Sequence, residues 1–202
     1  PGWPMTGSPL PIPWDCPDWT HTWALFLDID GTLLDLASDP QGVSVPSGLP
    51  EQLGTLARGL GGALALVSGR PLSEIDRLFP GNLDAAGTHG AQWCLGGIED
   101  GLRGAADAAL AGIYSSLEEE THSLPGVILE TKPHAIAVHY RQAPEWEEKV
   151  WLLAGQARQA LGPGFRLQPG KQVVEILPAE AGKDAAIQRF MGLPHYAGRL
   201  PI

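Results

Sequence analysis

Two aspartates, Asp28 and Asp30, stand two residues apart in Asp28-Ile29-Asp30-Gly31-Thr32, directly after the apolar run Trp23-Ala24-Leu25-Phe26-Leu27. Stability alone does not explain this placement. Each charge at the end of a buried strand must be desolvated, and mutual repulsion raises one pKa unless a cation lies between them. Read as structure, the segment is an Asp-Gly turn. Read as chemistry, it supplies a nucleophilic carboxylate (Asp28), a second carboxylate that moves protons (Asp30), and a place for a divalent cation. The second reading fits the buried run before it better. Ser68-Gly69-Arg70 ends another apolar run, Ala63-Leu64-Ala65-Leu66-Val67. A hydroxyl at a strand end, with a glycine permitting close approach, suits a phosphate oxygen; Arg70 either adds charge or braces the loop. Lys183 follows a glycine and opens a helical pattern, where a lysine opposes the macrodipole unless an anion is near.

The elements that must carry these residues read as strand, helix, strand, helix, strand. Five apolar residues without alternation at 23–27 predict a strand buried on both faces, as in a parallel sheet. Leu49, Leu53, Leu56 and Leu60 mark one face of a helix that starts near Ser47 and ends at Gly61-Gly62. Pro71 is well placed to start a helix with Leu72, Ile75, Leu78 and Phe79 on one face. Residues 83–87 predict a third strand, leading to Thr88-His89-Gly90-Ala91-Gln92. This alternation predicts a doubly wound parallel α/β sheet, a Rossmann-like core, with ligands beyond the carboxyl ends of its strands. Residues 198–202 read as a further strand beginning.

From residue 99 to 178 the pattern changes. A helix carries Leu102, Ala106, Leu110, Ile113 and Leu117; strands follow at 127–132 and 135–141; a second helix carries Trp146, Val150, Leu153, Ala157 and Leu161; and strands at 165–168 and 172–177 meet at Pro169-Gly170. This predicts an inserted α/β cap domain, an antiparallel sheet with two helices on one face. The core is then 23–98 with 179–202, the cap 99–178, and residues 1–22, dense in proline, an extended arm without regular structure. Side chains alternate along a strand, so Glu130 with Lys132, His139 with Arg141, and Lys171 with Glu175 fall on the face away from the helices. Each alone is an ordinary solvated residue. Three strands agreeing predict a face that binds a polyhydroxyl ligand, with Val173 the exception.

The 202 residues carry a formal charge of −10 and are 44% hydrophobic, enough for one medium domain or a domain interrupted by a smaller one. The acidic balance argues against nucleic acid or an anionic membrane, which would call for a basic patch. A small anionic substrate remains compatible, because a few local cations suffice for one phosphate. Cys16 and Cys94 match no metal or redox spacing and read as reduced thiols of a cytoplasmic protein. No apolar run approaches the ~20 residues that span a bilayer, and the start has no secretory pattern. A monomer is expected, with an N-terminus that begins at Pro1 rather than Met and so reads as missing or processed.

With Leu33-Leu34-Asp35 behind it, the aspartate motif resembles the Asp-x-Asp-Gly-Thr motif of the haloacid dehalogenase superfamily of phosphatases, and Ser68-Gly69-Arg70 resembles its second motif. Adding His89-Gly90-Ala91, Glu130-Thr131-Lys132, His139-Tyr140-Arg141, Gly170-Lys171, Val174-Glu175 and Lys183, the stretch 23–202 is similar to the trehalose-6-phosphate phosphatase family. That resemblance implies magnesium-dependent hydrolysis of trehalose 6-phosphate. Asp28 would attack phosphorus and form an aspartyl phosphate, and Asp30 would serve as acid and base. Ser68 and Lys183 would hold the phosphoryl group, and Asp28 and Asp30 the Mg2+. Arg70, His89, Gly90, Glu130, Lys132, His139, Arg141, Lys171 and Glu175 would bind substrate. Gln92 stands where that family usually has glutamate, and Asp184 where it usually has glycine. The resemblance also implies a fourth, acidic motif after the next core strand, and nothing after Asp184 is acidic. The expectation is therefore a part of a phosphatase of roughly 250 residues, with little activity in the 202 residues alone. The alternatives are a phosphatase for another sugar phosphate, such as sucrose 6-phosphate, or a non-catalytic sugar-phosphate binding module.

Overall fold

The computed structural model describes residues 19–35, 43–101 and 105–202. The prolines at 1–17 and Leu102 therefore lie outside the described residues. A single helical turn, α1 (Trp19–Thr22), leads into β1 (Trp23–Leu27). Residues 19–22 were assigned to the irregular arm; the turn forms because it begins beyond Pro17, the last proline of that run. Then come α2 (Leu49–Gly59), β2 (Leu64–Val67), α3 (Leu72–Leu78), β3 (Asp84–Gly87), β4 (Gln92–Leu95) and β5 (Ile98–Gly101). They are followed by α4 (Ala105–His122), β6 (Ile128–Lys132), β7 (Ala135–His139), α5 (Glu147–Leu161), β8 (Phe165–Gly170), β9 (Val173–Pro178), α6 (Lys183–Met191) and β10 (Leu200–Pro201).

The larger sheet has the order β10-β1-β2-β3-β4-β5. Its first four strands are parallel, as the alternating pattern requires. β1 lies between β2, reached through α2, and β10, reached from α6, so the connections diverge at its carboxyl end. That is the switch point where open α/β sheets bind ligands, and Asp28 and Asp30 emerge there. The parallel-rich sheet read from the sequence gains an antiparallel hairpin, β4 and β5, on β3. It also reaches Gly101, beyond the 98/99 boundary read from the sequence. β2 and β3 are buried throughout, whereas in β1 only Ala24 is fully buried. β10 pairs with β1 at Trp23 and Ala24, and the Phe26 N–H donates to the Ile202 carbonyl at 2.8 Å. Leu64, Leu66 and Val67 anchor this core, each burial stabilising by about 1.5–3 kcal/mol.

The second sheet is antiparallel, in the order β6-β7-β9-β8. Leu110 and Leu117 of α4 and Val150, Leu153 and Ala157 of α5 pack on Ile136, Val138, Tyr140, Val174 and Ile176. These are the residues that alternation assigned to the helix side. The other face is not simply open: Ala135 and Leu177 are covered by Ala91 and Ala181 from the segments flanking the larger sheet.

α6 is fixed at its far end by packing. Phe26, Phe190 and Tyr196 stack with centroids 5.6–6.0 Å apart. Tyr196, wholly buried, donates its hydroxyl to Asp84 at 3.0 Å, and burial pushes that phenol's pKa well up. Asp84 also accepts the Gly96 N–H at 2.8 Å and lies 3.0 Å from His195 Nε2. This clamp on the residues after α6 fixes the helix that begins with Lys183. Among the described residues, no helix is long and apolar enough to cross a membrane.

Candidate active site

The turn after β1 is wound around Ile29, which is wholly buried and whose carbonyl accepts the N–H groups of Thr32, Leu33 and Leu34. This throws the flanking aspartates outward. Asp28 Oδ1 accepts the Ile29 N–H at 2.8 Å, and Oδ2 accepts from Lys183 Nζ at 2.5 Å. A carboxylate 155 positions away is therefore the anion that the lysine at the start of α6 calls for. Asp30 turns to Arg70, whose Nε and Nη2 donate to its two oxygens at 2.8 and 2.7 Å. Arg70 also donates Nη1 to Glu74 Oε2 at 3.0 Å. The hydrogen bond to Asp30 outweighs the cost of burial and pushes the guanidinium pKa further up. Of the two roles left open for Arg70, it adopts the bracing one. Ser68 is buried, with its N–H on Ala86 O at 2.9 Å and its Oγ accepting the Arg70 N–H at 3.2 Å.

Beside this loop stands a strained turn. Thr88 and His89 both have positive φ, 47° and 52°, a region non-glycine residues occupy rarely and at a cost of order 1–3 kcal/mol. The turn is held by Thr88 N–H to Arg70 O at 2.8 Å and His89 N–H to Ser68 O at 3.0 Å. Gln92 accepts from Thr88 Oγ1 at 3.1 Å and from the Leu72 N–H at 3.3 Å, so an amide oxygen serves the start of α3. The strain aims the His89 ring across Gly69, where a Cβ would come within 2.6 Å of Nε2. At Gly90, φ is +91° and a Cβ would collide with the Gly182 carbonyl. Glycine is thus required at both points for the turn to close on the 68–70 loop and the start of α6.

His89 Nε2 reaches Glu175 Oε2 at 2.7 Å, and Lys132 Nζ reaches Oε1 at 2.5 Å. The first contact lacks the alignment of a hydrogen bond. Glu175 is only 5% exposed. Burial pushes its pKa up, but His89 and the Lys132 charge more than offset that and bring it down to about 2. Next to it, His139 Nε2 lies 2.7 Å from Glu130 Oε2, and that hydrogen bond holds the Glu130 carboxyl below its ordinary range. Glu130, Ala137, Glu175 and Gln168 form one cross-strand row, with alanine giving room between two carboxylates.

The sequence-predicted residues therefore fall in three groups. Asp28, Asp30, Ser68, Arg70 and Lys183 gather at the end of β1; His89 and Gly90 join them to Lys132, Glu175, Glu130 and His139. Arg141 and Lys171 stand apart at the β8–β9 turn, where Arg141 Nη2 donates to Lys171 O at 3.2 Å. Asp184 is exposed in the first turn of α6, curled back over Gly182, a favourable place for an acid. A cleft of about 600 Å3 opens between the sheets, lined by His89, Arg166, Gln168, Gly182, Lys183 and Asp184. Arg166 and Gln168 were not singled out from sequence. Their signal was i, i+2 spacing opposite Phe165 and Leu167, with Gln168 in register with Glu175. Arg166 Nη2 donates to Ala181 O at 2.8 Å, and Nη1 to Gln168 Oε1 at 2.6 Å.

For a hard divalent cation the site offers oxygen donors, the 40% exposed Asp28 carboxylate among them. That chemistry fits magnesium, which takes one or two carboxylates and completes its shell with water and phosphate. Among the described residues, no three His, Cys, Asp or Glu side chains gather to hold a metal by themselves.

The sequence profile of the family described as trehalose-phosphatase matches residues 26–201. A probable trehalose-phosphate phosphatase of Sinorhizobium fredii is 46% identical over 183 residues, 89% of this chain and 68% of that protein. The trehalose-6-phosphate phosphatase of Escherichia coli is 38% identical over 189 residues, 93% of this chain and 71% of that protein. Among solved structures, the C-terminal domain of a C. albicans trehalose-6-phosphate phosphatase superposes with a TM-score of 0.72 at 20% identity, covering 90% of this chain and 66% of that one. A trehalose-6-phosphate phosphatase related protein gives 0.65 at 24%, covering 83% and 73%. These likenesses show the fold. The profile match and the two sequence relatives, over most of the chain, show that it belongs to the trehalose-phosphatase family of phosphoric monoester hydrolases.

Proposed function

We propose that this protein hydrolyses trehalose 6-phosphate to trehalose and phosphate, with Mg2+ held by Asp28 and the Asp30 carbonyl. The observation that carries the reading is the Lys183–Asp28 contact of 2.5 Å at the switch point of the sheet. In this reading Asp28 is the nucleophile and Lys183 the phosphate-holding cation, and their contact supports it. Asp28 attacks phosphorus and displaces the sugar oxygen, forming an aspartyl phosphate. Asp30 gives the departing O6 its proton, then takes one from the water that hydrolyses the intermediate. Ser68 Oγ and Lys183 Nζ hold the phosphoryl oxygens as charge shifts. Magnesium, when bound, neutralises phosphoryl charge that would otherwise repel the Asp28 carboxylate.

The stretch from α4 to β9 acts as the cap in this reading, on the core that carries β1 to β5, α6 and β10. The cap offers Glu130, Lys132, His139, Arg141, Lys171 and Glu175 to the glucose hydroxyls, with His89 and Gly90 below. The substrate in this reading is a free sugar phosphate of the cytoplasm, met by a monomer. Asp28→Asn tests the covalent step. It is expected to abolish trehalose 6-phosphate turnover with the circular dichroism spectrum intact, while the wild type traps beryllofluoride on Asp28. Retention of more than a small fraction of activity would sink the mechanism.

A further inference from the structure

Asp30 has both oxygens engaged by one side chain. Arg70 Nε and Nη2 meet Oδ2 and Oδ1 at 2.8 and 2.7 Å, the fork-on-carboxylate geometry that fixes a plane as well as a distance. Glu74, in the first turn of α3, takes Nη1 from the other side at 3.0 Å. The Arg70 backbone is equally restrained. Its N–H donates to Ser68 Oγ, its carbonyl accepts the Thr88 N–H, and a Cβ on Gly87 would come to 2.7 Å from that carbonyl. The Arg70 side chain is 8% exposed, leaving it no face for a sugar, whereas that of Asp30 is 34% exposed.

We infer that Arg70, braced by Glu74, is the positioning residue of Asp30 and not a ligand of the sugar phosphate. This rests on the acid–base role proposed for Asp30. A proton donor must lie within about 2.6–3.2 Å of the leaving oxygen, and a misplacement of about 1 Å costs ~10²-fold. Free in solvent, the Asp30 carboxylate would turn about two bonds. The guanidinium fork removes that freedom and uses only two of the roughly four lone-pair directions a carboxylate offers. The others stay available for the sugar O6 proton and for water. Ser68 and Arg70 belong to one loop of three residues, so the phosphoryl holder and the anchor of the acid keep a fixed spacing. Glu74 extends this rigidity into α3, a role for a residue that no motif singles out.

The test compares a substrate that needs a proton on its leaving group, trehalose 6-phosphate, with one that does not, p-nitrophenyl phosphate. Arg70→Met is expected to lower kcat/KM, which reports the step in which the leaving group departs, ~10²-fold more on trehalose 6-phosphate than on the nitrophenyl ester, with KM for each within a few-fold. Glu74→Gln should move in the same direction by a few-fold. Arg70→Lys, which keeps charge without the fork, should not restore the loss. In an Asp30→Asn background, Arg70→Met should add nothing, since residues acting through one group are not additive. Thermal melting checks that each variant folds; if Arg70→Met does not, Glu74→Gln and Arg70→Lys carry the same comparison. Equal losses on both substrates, a raised KM as the main effect, or a full additional loss in the Asp30→Asn background would overturn the inference. If Asp30→Asn itself treats the two substrates alike, the acid–base reading of Asp30 fails. Non-additivity would then still support the positioning of Asp30 by Arg70.

Discussion

Glu175 belongs to the small sheet by its backbone and to the site by its charge. Alternation along β9 turned it toward Glu130 and Lys132, which was legible in sequence. Its burial was not, because His89, which lies against it, comes from the turn after β3, 86 positions away. The partners that depress its pKa set a stability dependence with a definite sign. A carboxyl whose folded pKa lies below its unfolded value stabilises the fold above the unfolded pKa, and that contribution is lost as pH falls through the folded one. For Glu175 the window runs from the ordinary value of 4.5 down to about 2, a contribution on the order of 3 kcal/mol. Denaturant melts of wild type and Glu175→Gln should therefore differ most above pH 5 and converge toward pH 2. A gap that stays constant over that range would show that His89 and Lys132 do not hold this carboxylate.

At the scale of elements, three short connections bear the site: the turn after β1, the loop 68–70, and the turn 88–90. The sequence signalled each by its polar residues at strand ends. It did not signal how closely they pack, since contact between Gly90 and the Gly182 carbonyl joins segments over ninety positions apart. Two glycines of similar φ separate strain from collision. Gly48 is left-handed at φ +83° with nothing within 4 Å of a Cβ, whereas Gly90, at +91°, would drive a Cβ into the Gly182 carbonyl. Gly48→Ala should cost about 1–2 kcal/mol of stability, the strain of a left-handed residue. Gly90→Ala should cost a further 1–3 kcal/mol for overpacking, and should lower phosphatase activity on any phosphate ester by shifting Lys183 from Asp28. Equal costs in chemical denaturation would mean that the two segments separate without penalty.

At the scale of the whole molecule, the chain sets a small antiparallel sheet over the switch point of a larger one, with a cleft between. In the reading proposed above, cap residues serve the sugar and core residues the phosphate, so substrates should sort the variants. Glu130→Gln and Gln168→Ala should weaken trehalose 6-phosphate turnover by about 1–3 kcal/mol each in kcat/KM, and spare a small aryl phosphate that does not reach the cap. Arg141→Ala and Lys171→Ala, away from the cleft-lining residues, should do less. Damage to both substrates alike from Glu130→Gln would assign that residue to structure.

The residue types and their local spacing determined by themselves the strand–helix alternation, the aspartate pair at a strand end, the helix opening on Lys183, and the two faces of the small sheet. These follow from periodicities of 3.6 and 2 and from the cost of burying charge, which act over a few residues. The tertiary structure alone decided which charges meet. Lys183 on Asp28, Arg70 on Asp30, and His89 with Lys132 on Glu175 are contacts between segments tens to over a hundred positions apart. It also decided that β4 and β5 extend the larger sheet as a hairpin and that Arg166 and Gln168 line the cleft. Such pairings depend on strand order and on the close approach of glycine backbones, and no local pattern encodes either.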